Sequence, residues 1–134
     1  MNAAGKWRIS SVEVYNDEYA KEWADADAVL SDENINDSFK LMLRSVFVFS
    51  EDGYIKRLVP VPEEFDKDII DKAIDDGEIE LCEGSILADK HRYKVDGDRI
   101  FFKPLNFGNE EPPWTEIPNL DGKLQFFMFR LEKL

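Results

Sequence analysis

The chain has 134 residues, 43% hydrophobic and 13% aromatic, which is enough apolar material to bury one core without disulfides or metal ions. Asp and Glu outnumber Lys and Arg by 29 to 17, giving a formal net charge of −12. Such a charge repels phosphate backbones and anionic membranes, so we expect neither nucleic acid nor a membrane as a partner. We expect a single domain over residues 1–134.

The first predicted element is a long strand over the sequence GKWRISSVEVY. Its β-branched content and its alternation of residue types are typical of strands. If Trp7 points inward, alternation places Ile9, Ser11, Glu13 and Tyr15 inward as well.

Two short helices are predicted next. In NDEYAKEWADADAVL, the spacing of Tyr19, Trp23 and Leu30 places them near one face of a helix. Asn16 or Asp17 would cap the N-terminus of this helix. Around NDSFKLMLRS, a second set of apolar residues has helical spacing, and Asn36 or Asp37 would cap the N-terminus of that helix. The members of that second set are Ile35, Phe39, Met42 and Leu43. We therefore expect helices to interrupt the strands here.

The middle of the chain predicts a hairpin and a third helix. Two β-rich runs flank Glu51, Asp52 and Gly53, and an Asp-Gly pair supplies the positive φ of a tight turn. The helix over 62–77 begins with Pro62 and early acids and ends at Gly77.

The rest of the chain reads as strands: EIELC, SILADKHRYKV, RIFFK, WTEI and KLQFFMFRLEKL. Turn signals, including Asp121-Gly122, separate most of them. With the three earlier runs this gives eight strands, the number at which an antiparallel sheet can close into a barrel without open edges. We predict a mainly β fold, an eight-stranded antiparallel up-and-down barrel, with helices between strands one and two and between strands three and four.

Closure would make the first and last strands neighbours. Trp7 and Arg130 could then meet, and a guanidinium stacked on the indole would close one end of the barrel through a cation–π contact. Gly5-Lys6-Trp7 resembles the G-x-W start of lipocalin-like, or calycin, proteins, and Arg130 resembles the Arg that packs over that Trp. The chain resembles small bacterial lipocalin-like proteins more than it resembles typical lipocalins. The resemblance implies a barrel that holds a small apolar molecule.

The strand SILADKHRYKV has two chemically different faces. Lys90, Arg92 and Lys94 mark the face that we expect outside. The other face carries Asp89 and His91, which lie either inside the barrel, where they would need partners, or near a solvated rim. Glu13 and Glu116 leave the same two alternatives open.

A ligand inside the barrel would contact the inward aromatic and polar residues. The residues expected to bind it are Trp7, Glu13, Phe47, Phe49, Asp89, His91, Tyr93, Phe126 and Met128. The same aromatic residues could instead fill the interior as a core, since eight-stranded barrels are found both filled and hollow.

Several kinds of site are not expected. Cys82 is the sole cysteine and lies between acids that disfavour a thiolate, and His91 is the sole histidine, so neither a disulfide nor a usual zinc set can form. Motifs for phosphate binding, dinucleotide binding and acyl transfer are absent. We expect no cofactor, no metal and no assigned catalytic residue. The lack of a leader-like N-terminus favours a cytoplasmic location.

Three functions remain open from the sequence. The first is a non-enzymatic barrel that binds a small, largely apolar ligand. The second is a filled barrel whose acidic helices, within residues 16–44, bind a protein partner. The third is an isomerase-like or hydratase-like enzyme with His91 as general base and Asp89 or Glu13 beside it.

Overall fold

The computed structural model describes residues 3–15, 17–62, 65–103 and 113–134. Its secondary structure is mainly β. The strands are β1 Gly5–Tyr15, β2 Lys21–Asp25, β3 Val46–Phe49, β4 Tyr54–Val59, β5 Leu81–Cys82, β6 Ser85–Asp96, β7 Arg99–Lys103, β8 Thr115–Ile117, β9 Asn119–Leu120, β10 Lys123–Phe126 and β11 Phe129–Lys133. The helices are α1 Ala26–Leu30, α2 Asp37–Leu43 and α3 Lys67–Asp75.

The strands form one antiparallel sheet that is nearly closed into a barrel. The main path runs β8-β7-β6-β4-β3-β1-β11-β10-β9, with β2 on β1 and β5 on β6 beside it. The two ends of this path follow each other in the chain, and the Gln125 backbone N–H donates to the carbonyl of Pro118, between β8 and β9, at 2.9 Å. The main path therefore has nine strands where eight are predicted.

The predicted strand EIELC forms β5, outside this path, and two strands of the path are not predicted. One is β9, and the other arises because the predicted last strand is a hairpin of β10 and β11. Phe126 and Phe129 are cross-strand partners, so Phe127 and Met128 form the turn between β10 and β11. The sequence KLQFFMFRLEKL carries no Gly, Asn or Asp at this point, which is why alternation alone reads it as a single strand.

The first and last strands pair, as closure requires. Trp7 is the cross-strand partner of Lys133, and Ser11 is the partner of Arg130. This register contradicts the predicted stack of Arg130 on Trp7. The Arg130 guanidinium instead lies 4.1 Å from the ring centre of Trp23, while Lys133 Nζ lies 5.8 Å from that of Trp7.

A bulge in β1 changes which residues point inward. The pairing with β11 shifts between Ile9 and Ser11, and one extra residue moves every later side chain to the opposite face. Trp7 and Ile9 are buried as predicted, but beyond the bulge Val12 is fully buried. The prediction that Ser11, Glu13 and Tyr15 point inward is wrong.

The helices are shorter than predicted. Trp23 lies in β2, where a helix over residues 16–30 is expected, and α1 begins only at Ala26 behind the Asp25 cap. Asn16, one of the two predicted caps, lies outside the described residues. In α2 the Asn36 side chain accepts a hydrogen bond from the Phe39 N–H at 2.8 Å, as the cap prediction states. The third helix begins at Lys67, later than Pro62, and ends before Gly77, whose φ is 75°.

The core fills much of the barrel. Its largest fully buried side chains include Trp7, Phe47, Phe49 and Phe126. Ala26 of α1 and Leu43 of α2 join the same cluster, so these helices pack against the core. None of the described helices is both long and apolar enough to span a lipid bilayer.

Candidate functional site

A row of three side chains crosses the inner face of the sheet. Arg57 on β4 is the cross-strand partner of Phe47 on β3 and of Asp89 on β6. Because directly opposite residues share a face, the inward position of the buried Phe47 places both charged residues inward as well. A guanidinium and a carboxylate thus lie beside an aromatic wall.

Arg57, Asp89 and His91 form a connected polar cluster. The Arg57 Nε donates to Asp89 Oδ2 at 2.7 Å, and both side chains are about three-quarters buried. His91 Nε2 lies 3.5 Å from the other carboxylate oxygen, Oδ1. Asp89 is therefore held between a fixed cation and an imidazole on the inner face of the sheet, where His91 is buried and Asp89 is partly buried.

The electrostatics of Asp89 follow from this arrangement. Burial raises the pKa of its carboxyl, but the hydrogen bonds and charges of His91 and Arg57 lower it by more, so the pKa lies below the ordinary value of 3.8. Asp89 is consequently ionised at neutral pH and balances the charge of Arg57.

His91 is surrounded by aromatic rings. Its ring centre lies 6.1 Å from that of Phe102, 6.0 Å from that of Phe126 and 5.8 Å from that of Phe127. The imidazole is 8% exposed, and its Nδ1 is buried without a hydrogen-bond partner among the described residues. With Nε2 facing Asp89 and Nδ1 enclosed, His91 is placed to orient Asp89.

A pocket of about 240 Å³ opens beside the cluster. It is lined by Met42, Phe47, Arg57, Asp89, Phe127, Met128 and Phe129. Most of these side chains are apolar, and Arg57 and Asp89 are the charged groups among them. Apolar walls with a few convergent polar groups are typical of small-molecule sites.

The mouth of the pocket is formed by the turn between β10 and β11. Phe127 is 58% exposed and Met128 is 42% exposed, although the Phe127 ring packs 4.4 Å from that of Phe126, centre to centre. The turn is held to β1 by a hydrogen bond of 2.8 Å from the Glu13 N–H to the Met128 carbonyl.

Phe127 also has strained backbone. Its φ is 56°, in the left-handed region that costs a bulky residue about 1–2 kcal/mol. An aromatic ring is thus kept at a position that glycine or asparagine would occupy more cheaply.

A larger groove of about 560 Å³ lies between α2 and residues 60–62. Its lining residues include Asp37, Leu41, Arg44 and Pro60, and none of its lining residues is buried. Among the described residues that line it, no connected polar cluster comparable to that of Arg57 and Asp89 is present. The smaller pocket is therefore the better candidate.

The predicted ligand-binding residues are divided by the structure. Phe47, Asp89 and Met128 line the pocket, and His91 and Phe126 lie behind it. Trp7 and Phe49 pack together in the core, with the Trp7 Nε1 donating to the Ala3 carbonyl at 2.9 Å.

The remaining predicted residues lie elsewhere. Tyr93 donates its hydroxyl to the Ser50 carbonyl at 2.8 Å, and burial, followed by the charges of Asp52 and Glu51, raises its pKa. Glu13 forms an ion pair with Lys21 at 3.3 Å, and Glu116 is exposed and bound to Arg99 at 2.6 Å. Glu13 and Glu116 are therefore not pocket groups.

Arg57 is the main pocket residue that is not predicted from the sequence. It is two residues from the buried Ile55 on the same strand, so it is the charged residue of an otherwise apolar alternation. Met42, Phe127 and Phe129 also line the pocket, although they are not among the predicted ligand-binding residues. Met42 reaches the pocket from α2, and Phe127 and Phe129 reach it from the hairpin of β10 and β11, which is not predicted.

Within the described parts of the chain, no three His, Cys, Asp or Glu side chains converge as metal ligands would. Comparison of the chain with protein-family models, with curated proteins and with solved structures finds no match. The geometry of the site must therefore carry any functional conclusion.

Proposed function

We propose that this protein binds a small, largely apolar molecule at the mouth of its barrel, with Arg57 as the polar contact. The observation that carries this proposal is the pocket of about 240 Å³ in which aromatic and Met side chains surround one partly exposed guanidinium. A ligand of this type would bury its apolar part against Phe47, Phe127 and Phe129.

The terminal N–H groups of the Arg57 guanidinium are available as hydrogen-bond donors. Asp89 accepts from Arg57 Nε, and no other hydrogen bond or ion pair of Arg57 is present within the described residues. Its terminal amino groups can therefore donate to an oxygen of the ligand, and Asp89 and His91 keep the side chain in place.

In this proposal the nearly closed sheet is a lipocalin-like, up-and-down barrel. The order of the strands supports this proposal. Around the main path the strands follow the order of the chain, with β2 and β5 beside the path, and the first strand, β1, lies beside the last strand, β11. Barrels of this size can hold one small ligand while side chains fill the remaining interior.

Two fluorescent dyes test the proposal. 8-Anilinonaphthalene-1-sulfonate and N-phenyl-1-naphthylamine share an aromatic skeleton, and the first also carries an anionic group. We expect both to bind the folded wild-type protein with micromolar affinity, and Phe127→Asn to weaken both by about tenfold, because it removes an aromatic wall.

The matched control is Tyr19→Asn. Tyr19 is also an exposed aromatic residue with positive φ, at 59°, but it is not among the pocket-lining residues. If Phe127→Asn and Tyr19→Asn bind both dyes equally well, or if neither dye binds the wild type, the proposed site is wrong.

Arg57→Gln separates the polar contact from the apolar one. We expect it to weaken the sulfonated dye by about tenfold and the uncharged dye by about twofold or less, because only the sulfonate accepts hydrogen bonds from the guanidinium. Equal loss for the two dyes, with an unchanged circular dichroism spectrum, would show that Arg57 does not contact the ligand.

A further inference from the structure

We propose that the outer face of β6 binds an extended acidic segment of a partner protein. The segment would lie along Lys90, Arg92 and Lys94, which are all exposed. This surface is separate from the pocket, so the inference does not rest on the proposed function. We refer to these three residues as the cationic row.

The cationic row stands out because its charges lack counter-charges. Within the described residues, none of the three forms an ion pair, and Arg92 forms no side-chain hydrogen bond. Cations also oppose the row on both sides, since Lys90 is the cross-strand partner of Lys56 and Arg92 is the partner of Lys103. Like charges directly opposite each other destabilise a sheet.

Three acids near the row, among the residues that the structure describes, already have cationic partners. Asp52 pairs with Lys56 at 3.3 Å. Glu116 is held by Arg99 at 2.6 Å, and this contact lowers the pKa of Glu116. Asp96 is the cross-strand partner of the same Arg99 and also raises the pKa of that guanidinium. Within the described residues, a chain with a net charge of −12 therefore keeps a positive surface that its own acids do not neutralise.

Aromatic rings fix the ammonium groups of the row. Lys90 Nζ lies 4.0 Å from the ring centre of Tyr54, and Lys94 Nζ lies 4.7 Å from that of Trp114 and 5.6 Å from that of Phe101. A cation–π contact restrains a lysine without cancelling its charge. Restraint before binding lowers the entropy that binding would otherwise cost.

The spacing of the row selects an extended peptide. Alternate residues of a strand are about 6.8 Å apart, so acidic residues at every second position of an extended partner would face the three cations in turn. Lysine ammonium groups lie over these rings, whereas single-stranded nucleic acid stacks its bases on open ring faces. The −12 charge also opposes a polyphosphate more than a short peptide.

The probe is a synthetic peptide of about ten residues in which Glu alternates with Thr, a good strand former. The control peptide has the same composition with its Glu residues in one block. At low salt we expect micromolar binding of the alternating peptide, about tenfold weaker binding of the block peptide, and loss of both near 0.5 M NaCl, roughly where screening removes surface attraction.

The variant Arg92→Glu with Lys94→Glu should weaken the alternating peptide by about tenfold or more. The control, Lys67→Glu with Lys72→Glu on α3, changes the net charge equally at exposed positions away from the row. Equal loss in the two variants, no binding at low salt, or tighter binding of an oligothymidylate than of the peptide would overturn the proposal. Unfolding curves of both variants confirm that they are folded.

Discussion

The two faces of β6 differ in whether their charged side chains have partners of opposite charge. On the inner face, Asp89 has both oxygens engaged by Arg57 and His91. On the outer face, Lys90, Arg92 and Lys94 form no ion pair within the described residues, and a cation lies opposite Lys90 and another opposite Arg92. Alternation along one strand thus separates a neutralised, partly buried cluster from an unneutralised, solvated row.

This difference indicates whether a charge contributes to folding or to association. A partly buried charge must be paired, because leaving it alone costs the free energy of removing it from water. A solvated charge costs little on its own and is screened by salt. The inner cluster should therefore matter for folding, and the outer row should matter for association.

Removing the inner carboxylate should have the largest effect on stability. Asp89→Asn leaves Arg57 without its counter-charge at the pocket wall, and we expect the free energy of unfolding to fall by about 1–3 kcal/mol. Urea denaturation at pH 7 measures this. The outer-face control, Arg92→Gln, should change the same quantity by about 0.5 kcal/mol or less. Equal effects on the two faces would contradict the assignment of Asp89 to a partly buried cluster.

The pH dependence should show the same contrast. The pKa of Asp89 is lowered in the folded protein, so its contribution to stability is fully present above the ordinary value of 3.8 and is lost as the pH falls through the lower, folded value. The difference in unfolding free energy between wild type and Asp89→Asn should therefore be larger at pH 5 than at pH 3, and it should shrink below about pH 4.

Glu116 provides the exposed comparison for that measurement. Its pKa is also lowered by its contact with Arg99, but it is solvent-exposed. Glu116→Gln should therefore give a smaller pH-dependent difference, and one that disappears in high salt. If the pH-dependent difference between wild type and Asp89→Asn is equally sensitive to salt, solvent screens the charge of Asp89 as fully as that of Glu116. Such a result would contradict the partial burial of Asp89.

The division of β6 into two faces could be predicted from its sequence. Three successive cations at alternate positions identify the solvated face, and the structure places Asp89 and His91 on the other side. The pairing of the first with the last strand could also be predicted, because it follows from barrel closure. Both inferences depend on local alternation and strand number, which one sequence can show.

What could not be predicted depends on irregularities of the backbone. The bulge near Ser10 moves Glu13 to the outer face, and the hairpin at Phe127 gives the pocket its mouth. Neither position has the residues that usually mark such features. The contact between Arg57 and Asp89 depends on the register of β4 against β6, which joins residues far apart in the chain.

The smallest expected effect on stability belongs to the outer face, and its sign is the informative part. Arg92→Glu places an anion among Lys56, Lys90, Lys94 and Lys103, so it should raise the free energy of unfolding by about 0.2–1 kcal/mol at low salt. The gain should vanish near 1 M NaCl, where the screening length is about 3 Å. Urea denaturation at the two salt concentrations checks both statements.

That result bears directly on the acidic partner. If a single substitution stabilises the fold and also weakens binding of the alternating peptide, the cationic row is retained at the expense of stability, as expected for a functional surface. If Arg92→Glu instead lowers stability at low salt, Arg92 already contributes to the fold. The absence of counter-charges would then no longer support a partner for this face.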